Sequence, residues 1–235
     1  MIGTLINTAT VLIGGFLGLV FGSKLPDRMR STVVAGLGLF TAAIGLNMFM
    51  ASQNAIAVLG SLLIGGVLGE WWDIEEALQR FGSWLQQRFV PESGAKNSRF
   101  VTGFLTASLL FCVGPLTIVG SIQDGLTGDY SLLAIKSVLD GFAALVFAST
   151  LGVGVLFSVL VILSFQGGLT LLATQAQALF NEAMIAELTA TGGILLIGIA
   201  LSSLLEIKKI RVGNFLPALF IAPIIVKLLA VFNFP

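Results

Sequence analysis

The sequence contains no histidine and a single cysteine, Cys112, among its 235 residues. Imidazole-based mechanisms, zinc sites assembled from several Cys or His, and disulfide frameworks are excluded by those counts. Cys112 lies inside an apolar run and reads as a small buried apolar residue. Charge is the second shortage: 12 Lys plus Arg and 12 Asp plus Glu make up only 10% of the chain and leave no net charge. A water-soluble domain carries about a quarter charged residues, so these cannot cover a surface facing water. A soluble enzyme and a secreted disulfide scaffold are excluded, and without a polybasic field so is a nucleic-acid binder.

What the sequence has instead is apolar length. The apolar fraction is 56% and the mean hydropathy +1.02. A bilayer core of about 30 Å is spanned by about 20 apolar residues, which allows at most eight or nine crossings. The apolar runs cover about 2–22, 32–50, 55–69, 100–122, 132–151, 155–180, 185–205 and 215–232. The first lacks the positive n-region and cleavage site of a signal peptide and reads as a retained membrane helix.

The one soluble-looking stretch is 73–99. Ile74, Ala77, Leu78, Phe81, Trp84, Leu85 and Phe89 recur at helical spacing, opposite Glu75, Glu76, Gln79, Arg80, Gln86 and Gln87. That pattern predicts an amphipathic helix along the membrane surface, followed by a flexible loop over 90–98 containing Pro91 and Gly94. The fold expected is an all-α polytopic bundle of about eight transmembrane helices plus one interfacial helix. It forms a single membrane domain over 1–235: helices 1–3 in 1–70, the cytoplasmic amphipathic segment in 73–99, and helices 4–8 in 100–235.

Whether Gly152, Val153 and Gly154 make a turn or a kink decides between eight crossings and seven. With eight crossings and an outside N-terminus, Lys24, Arg28, Arg30, Arg80, Arg88, Lys96, Arg99, Lys208, Lys209 and Arg211 share one face. Merging the fifth and sixth helices would throw the last three outside, against the positive-inside tendency. Eight crossings, with both termini outside the cytoplasm, is the reading that results. It also permits an inverted repeat between helices 1–3 and 6–8, which the residues do not demonstrate. The string Ile13-Gly14-Gly15-Phe16-Leu17-Gly18 returns as Ile64-Gly65-Gly66-Val67-Leu68-Gly69.

Gly14, Gly18 and Gly22, and again Gly65 and Gly69, fall every fourth residue and leave grooves without side chains, suited to close helix packing, within a subunit or in a homo-oligomer, or to a solute path. Carboxylates at membrane depth are costly. Asp140 lies well inside the fifth helix, where pairing with Lys136 one turn earlier competes with a substrate or proton role. Asp124 and Asp129 suit capping at the outer connection. Gly114 and Pro115 interrupt the fourth helix, and Pro217 and Pro223 the eighth. Carbonyls freed there, with Thr117 and Ser121, are suitable oxygen ligands for a small cation, or simply mark kinks. Gln166, Thr170, Thr174, Gln175 and Gln177 give the sixth helix a wettable side.

Glu75, Glu76 and Arg80 match a Glu-Glu-x-x-x-Arg string of membrane endopeptidases that also need histidine. Gly125, Gly128 and Asp129 have the wrong spacing for an intramembrane aspartyl protease. No catalysis, cofactor or metal centre is expected.

Taken in order, Gly3-Thr4-Leu5-Ile6-Asn7, Leu63-Ile64-Gly65-Gly66-Val67-Leu68-Gly69-Glu70, Phe111-Cys112-Val113-Gly114, Gly120-Ser121-Ile122-Gln123-Asp124-Gly125-Leu126, Asp140-Gly141-Phe142, Phe147-Ala148-Ser149-Thr150-Leu151-Gly152 and Lys208-Lys209-Ile210-Arg211-Val212 resemble the bacterial membrane-protein family called domain of unknown function 554. The resemblance spans essentially the whole chain. It implies a bacterial inner-membrane protein and supplies no catalytic residue. The function expected is transport or conduction of a small ion or solute, with Asp124, Gln123, Ser121, Asp140, Thr117 and the Gly114–Pro115 break near the path. The alternative is a membrane scaffold without transport.

Overall fold

The computed structural model describes residues 1–22, 26–89, 97–112 and 115–231. Every regular element among the described residues is helical. Among the described residues twelve α-helices follow in order: α1 (Ile2–Gly22), α2 (Asp27–Phe49), α3 (Ala55–Trp71), α4 (Ile74–Phe89), α5 (Asn97–Cys112), α6 (Pro115–Thr127), α7 (Ser131–Leu151), α8 (Ser158–Val161), α9 (Gly167–Leu171), α10 (Ala173–Leu179), α11 (Glu182–Ile199) and α12 (Pro217–Val231). Among the described residues six helical stretches are long and apolar enough to cross a membrane singly, and two bent pairs, α3 with α4 and α5 with α6, raise the number to as many as eight when each pair is counted as one span. The amphipathic segment is α4, with Arg80, Phe81, Trp84 and Arg88 exposed along it.

Local chemistry sets the ends. Asn54 caps α3 by accepting from the backbone N–H groups of Ile56 and Ala57, both at 3.1 Å, and Asn181 accepts from Met184 N at 2.8 Å to start α11. These are side-chain oxygens satisfying donors that a first turn leaves free. Gly152, at φ +86°, terminates α7 in backbone space that a side chain disfavours.

Several expectations change in detail. The fourth hydrophobic run is not one helix: α5 stops at Cys112, α6 begins at Pro115, and the two are bent by 59°. Proline at a first helical position loses no bond, so the chain restarts there; Gly114 lies outside the described residues. Pro217 likewise opens α12 and breaks nothing, whereas Pro223 is internal. The sixth run is assembled from a 3-10 turn (Val153–Val155), α8, a π-helical turn (Ile162–Gln166), α9 and α10. The expected loop over 90–98 falls mostly outside the described residues, and its last two positions belong to α5.

The helices cluster into two compact units that interleave in sequence. The first comprises Met1–Leu37 and Arg80–Ala178, the second Gly38–Gln79 and Leu179–Pro235. In the first, α1 and α7 run parallel: a Cβ built on Gly3, Gly14, Gly18 or Gly22 would strike Leu133, Gly141, Leu145 and Ser149 in rising order. The opposite order relates α1 to the segment after Gly152, where Gly15 faces Leu156 and Thr4 meets Thr170. The chain therefore reverses at Gly152–Gly154, which makes it a turn. In the second unit α3 lies antiparallel to α12, with Gly65 against Ala218 and Gly69 against Asn214, and α2 antiparallel to α11, with Gly38 against Leu205 and Gly45 against Gly193.

Candidate functional site

The site in the first unit is built on one stripe of α1. Thr4, Asn7, Val11, Gly14, Gly18 and Gly22 are buried at three- and four-residue intervals, which places them on a single helical face. The C-terminal part of that face has no side chains. A Cβ on Gly14 would stand 2.0 Å from the carbonyl oxygen of Gly141, and one on Gly18 2.2 Å from that of Leu145. Such contact lets the two backbones touch, the main source of helix association where lipid offers no hydrophobic drive. It also fixes the register of α7, and with it the height of Asp140 beside Asn7.

Asp140 is nine residues into α7, about 13 Å along it, and is 7% exposed. Its Oδ2 is ion-paired with Lys136 Nζ, itself buried, and accepts from Asn7 Nδ2 at 3.0 Å. The same Asn7 nitrogen donates to Gln166 Oε1 at 2.9 Å. Gln166 Nε2 then donates to the Thr4 hydroxyl at 3.3 Å, and Thr170 donates to the Gln166 backbone carbonyl at 3.0 Å. That leaves Thr4 as donor in its 3.3 Å contact with Thr170. Asn7 is thus the branch point: it donates to the Asp140 carboxylate on one side and, through Gln166 and Thr4, the donors run away toward Thr170 on the other, linking α1, α7, the π turn and α9. Asn7 Oδ1 is buried and has no hydrogen-bond partner among the described residues. With both amide hydrogens committed to Asp140 and Gln166, that oxygen faces away from each.

Asp124, on α6, is buried and belongs to the same end of α1. Its Oδ2 accepts from Gly3 N at 3.2 Å and pairs with the Met1 amino group at 2.8 Å. It caps a helix, but not its own. Gln123, one residue earlier, instead donates to Asp129 Oδ2 at 2.7 Å in the exposed connection. Asp129 Oδ1 accepts from Ser131 N at 2.9 Å and from the Ser131 hydroxyl at 2.5 Å, and these bonds hold its carboxyl below the ordinary range by favouring the ionised form. Thr117 donates to the Phe111 carbonyl at 3.1 Å, across the break, and Ser121 to the Thr117 carbonyl at 2.5 Å. Both hydroxyl protons are therefore spent on backbone, and the structure puts Thr117 and Ser121 in the service of the helix break.

The second unit holds a different carboxylate, one that sequence reasoning passed over. Glu187 on α11 is 1% exposed and accepts from Ser52 Oγ, Gln53 N and Asn54 N, each at 2.7 Å. It caps the entry to α3 as Asp124 caps α1. One turn on, Thr191 meets Ser61 at 3.3 Å. At the other end of α3, Asn214 Oδ1 accepts from Glu75 N and Glu75 Oε2 accepts from Gly213 N, both at 2.7 Å. Asn214 Nδ2 also donates to Glu70, which is ion-paired with Arg211. Glu75 thus serves as a latch on the turn before α12.

Comparison with known proteins agrees with this architecture. The model of the family described as "Protein of unknown function (DUF554)" matches residues 2–227. The chain belongs to that family. Its DUF554 relatives include the "Uncharacterized membrane protein YdfK" of Bacillus subtilis (strain 168), 34% identical over 99% of this chain and 99% of that protein. The "Uncharacterized protein YqgA" of Escherichia coli (strain K12) is 32% identical over 94% of each. No solved structure matches this DUF554 chain.

Of the residues singled out from sequence, the structure brings Asp140, Lys136 and Gln166 together and places Asp124 at the same helix end. It sets Gln123 apart. Asn7 and Thr4 were missed as site residues. Their signal was present, because a lone amide in an apolar helix shares its face with the glycine groove.

Proposed function

We propose that this DUF554 protein is a transporter or channel for a small ion or solute in the bacterial inner membrane, with its path at the polar cluster of the first unit. The observation that carries the reading is the buried Lys136–Asp140 pair tied to Asn7 and Gln166 at membrane depth. Ionised side chains inside membrane segments are expensive, and they usually mark ion or substrate pathways. The π turn that supplies Gln166 supports the reading, since such turns recur at functional sites. The positive-inside tendency favours both chain ends outside the cytoplasm. The reading assigns no catalysis and no cofactor.

Purified protein in liposomes, assayed for flux of protons, sodium, potassium and lithium, tests the reading. Flux above empty liposomes that Asp140→Asn abolishes supports it. No flux of any of these, in either direction of gradient, opposes it.

A second reading has its own observation. Lys136 neutralises Asp140, and the glycines seat α1 against the α7 backbone, which suits a static core. As a membrane scaffold, the protein would recruit partners through α4, where Arg80 and Arg88 are exposed. Charge reversal at those two arginines would then abolish a stoichiometric complex and leave α1–α7 packing unchanged.

A further inference from the structure

From the geometry around Asp140, we infer that this carboxylate binds a monovalent cation, a proton or an alkali ion, by exchange with the Lys136 ammonium. The inference rests on the transport reading and narrows its cargo.

Charge decides the valence. The carboxylate already holds one positive partner, and the pair is neutral. In a low-dielectric surround an uncompensated net charge is strongly disfavoured, so the replacement that preserves neutrality at that depth carries a single positive charge. A divalent ion would need more anionic ligands, and no group of three or more Asp, Glu, Cys or His side chains suited to a metal occurs among the described residues. An anion would meet the Asp140 charge directly.

The position of Lys136 allows the exchange. It is four residues nearer the start of α7, about 6 Å closer to that end, and its flexible stem can carry the ammonium outward as lysines near helix ends do. Asp140 lacks that freedom. Asn7 holds it from α1, and Asn7 is held in turn by Gln166. The leaving cation is mobile while the receiving carboxylate is fixed.

The spare acceptor supplies the second observation. Asn7 Oδ1 is wholly buried and unpartnered among the described residues. Buried carbonyl oxygens are rarely left without a donor or cation. An alkali ion beside Asp140 would draw on that oxygen after a turn of the amide, and a protonated Asp140 would donate to it after the same turn. In either case the amide orientation reports the state of the carboxylate. The other groups bearing on Asp140 are few. Cys112 on α5 lies within electrostatic range of both Asp140 and Lys136, Asn7 and Gln166 are neutral, and the Asp124–Met1 pair sits at the start of α1.

The test uses the full chain in lipid nanodiscs. Thermal midpoints are measured against sodium, lithium and potassium chloride at fixed pH, with N-methylglucamine chloride holding ionic strength constant, and separately against pH. Wild type, Lys136→Gln, Asp140→Asn and the double variant are compared. The midpoint should rise with an alkali ion or with acidification, and Lys136→Gln should need about tenfold less cation because the competitor is gone. Asp140→Asn and the double variant should not respond, and the double variant, neutral at the site, shows that the fold survives. A response at fixed pH assigns an alkali ion; a response to pH alone assigns the proton. Should Lys136→Gln fail to fold, the contrast between wild type and the double variant decides the matter. No response to either agent in wild type, or one that persists in Asp140→Asn, overturns the inference. Flux without a cation response refutes this site and leaves transport standing, whereas a cation response without flux does the reverse.

Discussion

Asn7 donates its amide N–H to Asp140 Oδ2 at 3.0 Å, joining α1 to the middle of α7 through a polar contact. Because the same nitrogen also reaches Gln166, Asn7 ties the carboxylate and the π turn to the face of α1 that carries the glycines. Replacing it by alanine leaves Gln166 Oε1 without its donor and Asp140 with Lys136 alone. The expected cost is about 1–3 kcal/mol, read as a lower thermal midpoint in nanodiscs, and Asn7→Asp should cost more because it sets two carboxylates against each other.

The Lys136–Asp140 pair should be strongly non-additive. Removing either partner alone leaves a buried charge uncompensated, at about 3–5 kcal/mol, whereas replacing both is far cheaper. A double-mutant cycle with Lys136→Gln and Asp140→Asn, followed by thermal midpoint, is expected to place the double variant above at least one single variant. Additive losses would show that the pair contributes nothing as a pair.

The glycine seats make an internally controlled prediction. A methyl on Gly18 would meet the Leu145 carbonyl at 2.2 Å, whereas one on Gly36 would meet nothing within 4 Å. Gly18→Ala should cost about 1–3 kcal/mol through overpacking, and Gly36→Ala should be neutral or slightly stabilising, as alanine is the better helix former. Equal effects would mean that α1 and α7 are not in backbone contact.

Glu187 should control local opening ahead of α3. Glutamine in its place removes the charge from the one oxygen, Oε1, that accepts from both Gln53 N and Asn54 N, so those N–H groups should exchange with deuterium faster, by about tenfold or more per bond weakened. Mass-resolved exchange on the peptide covering 50–58 reads this directly. Unchanged protection there would remove Glu187 from its capping role.

Asp129 gives the pH dependence at the N-terminal end of α7. Its carboxyl is held below the ordinary range by Ser131, so the contribution to stability is present above the unfolded value and is lost as pH falls through the lower, folded value. The Ser131 amide signal should therefore titrate below the usual carboxylate range, and Asp129→Asn should remove the titration.

Much of the fold was legible because lipid makes the rules strict: every backbone group must be satisfied within a helix, so apolar length located most of the helices long enough to cross a membrane. The reversal at Gly152 was readable from the distribution of Lys208, Lys209 and Arg211. The restart at Pro115 and the opening of α12 at Pro217 differ from the interior kinks expected, because a proline's effect depends on whether the helix already exists upstream of it. The pairing of Lys136 with Asp140 followed from their four-residue spacing. Asn7 and Glu187 escaped notice for one reason. Their partners are 133 or more residues distant, and the polarity of a lone amide or acid says only that a partner exists, not which helix carries it.

The proposal stands on exchange at the Asp140 carboxylate, where a monovalent cation takes the place of Lys136. Infrared difference spectroscopy of the protein in nanodiscs, recorded on switching from N-methylglucamine to sodium, lithium or potassium and on acidification, observes that carboxylate directly. The expected result is a shift of one carboxylate band, or its replacement by a protonated-acid band, that is absent in Asp140→Asn. Spectra that do not change with any cation or with pH, or that change identically in Asp140→Asn, would contradict cation exchange at this site.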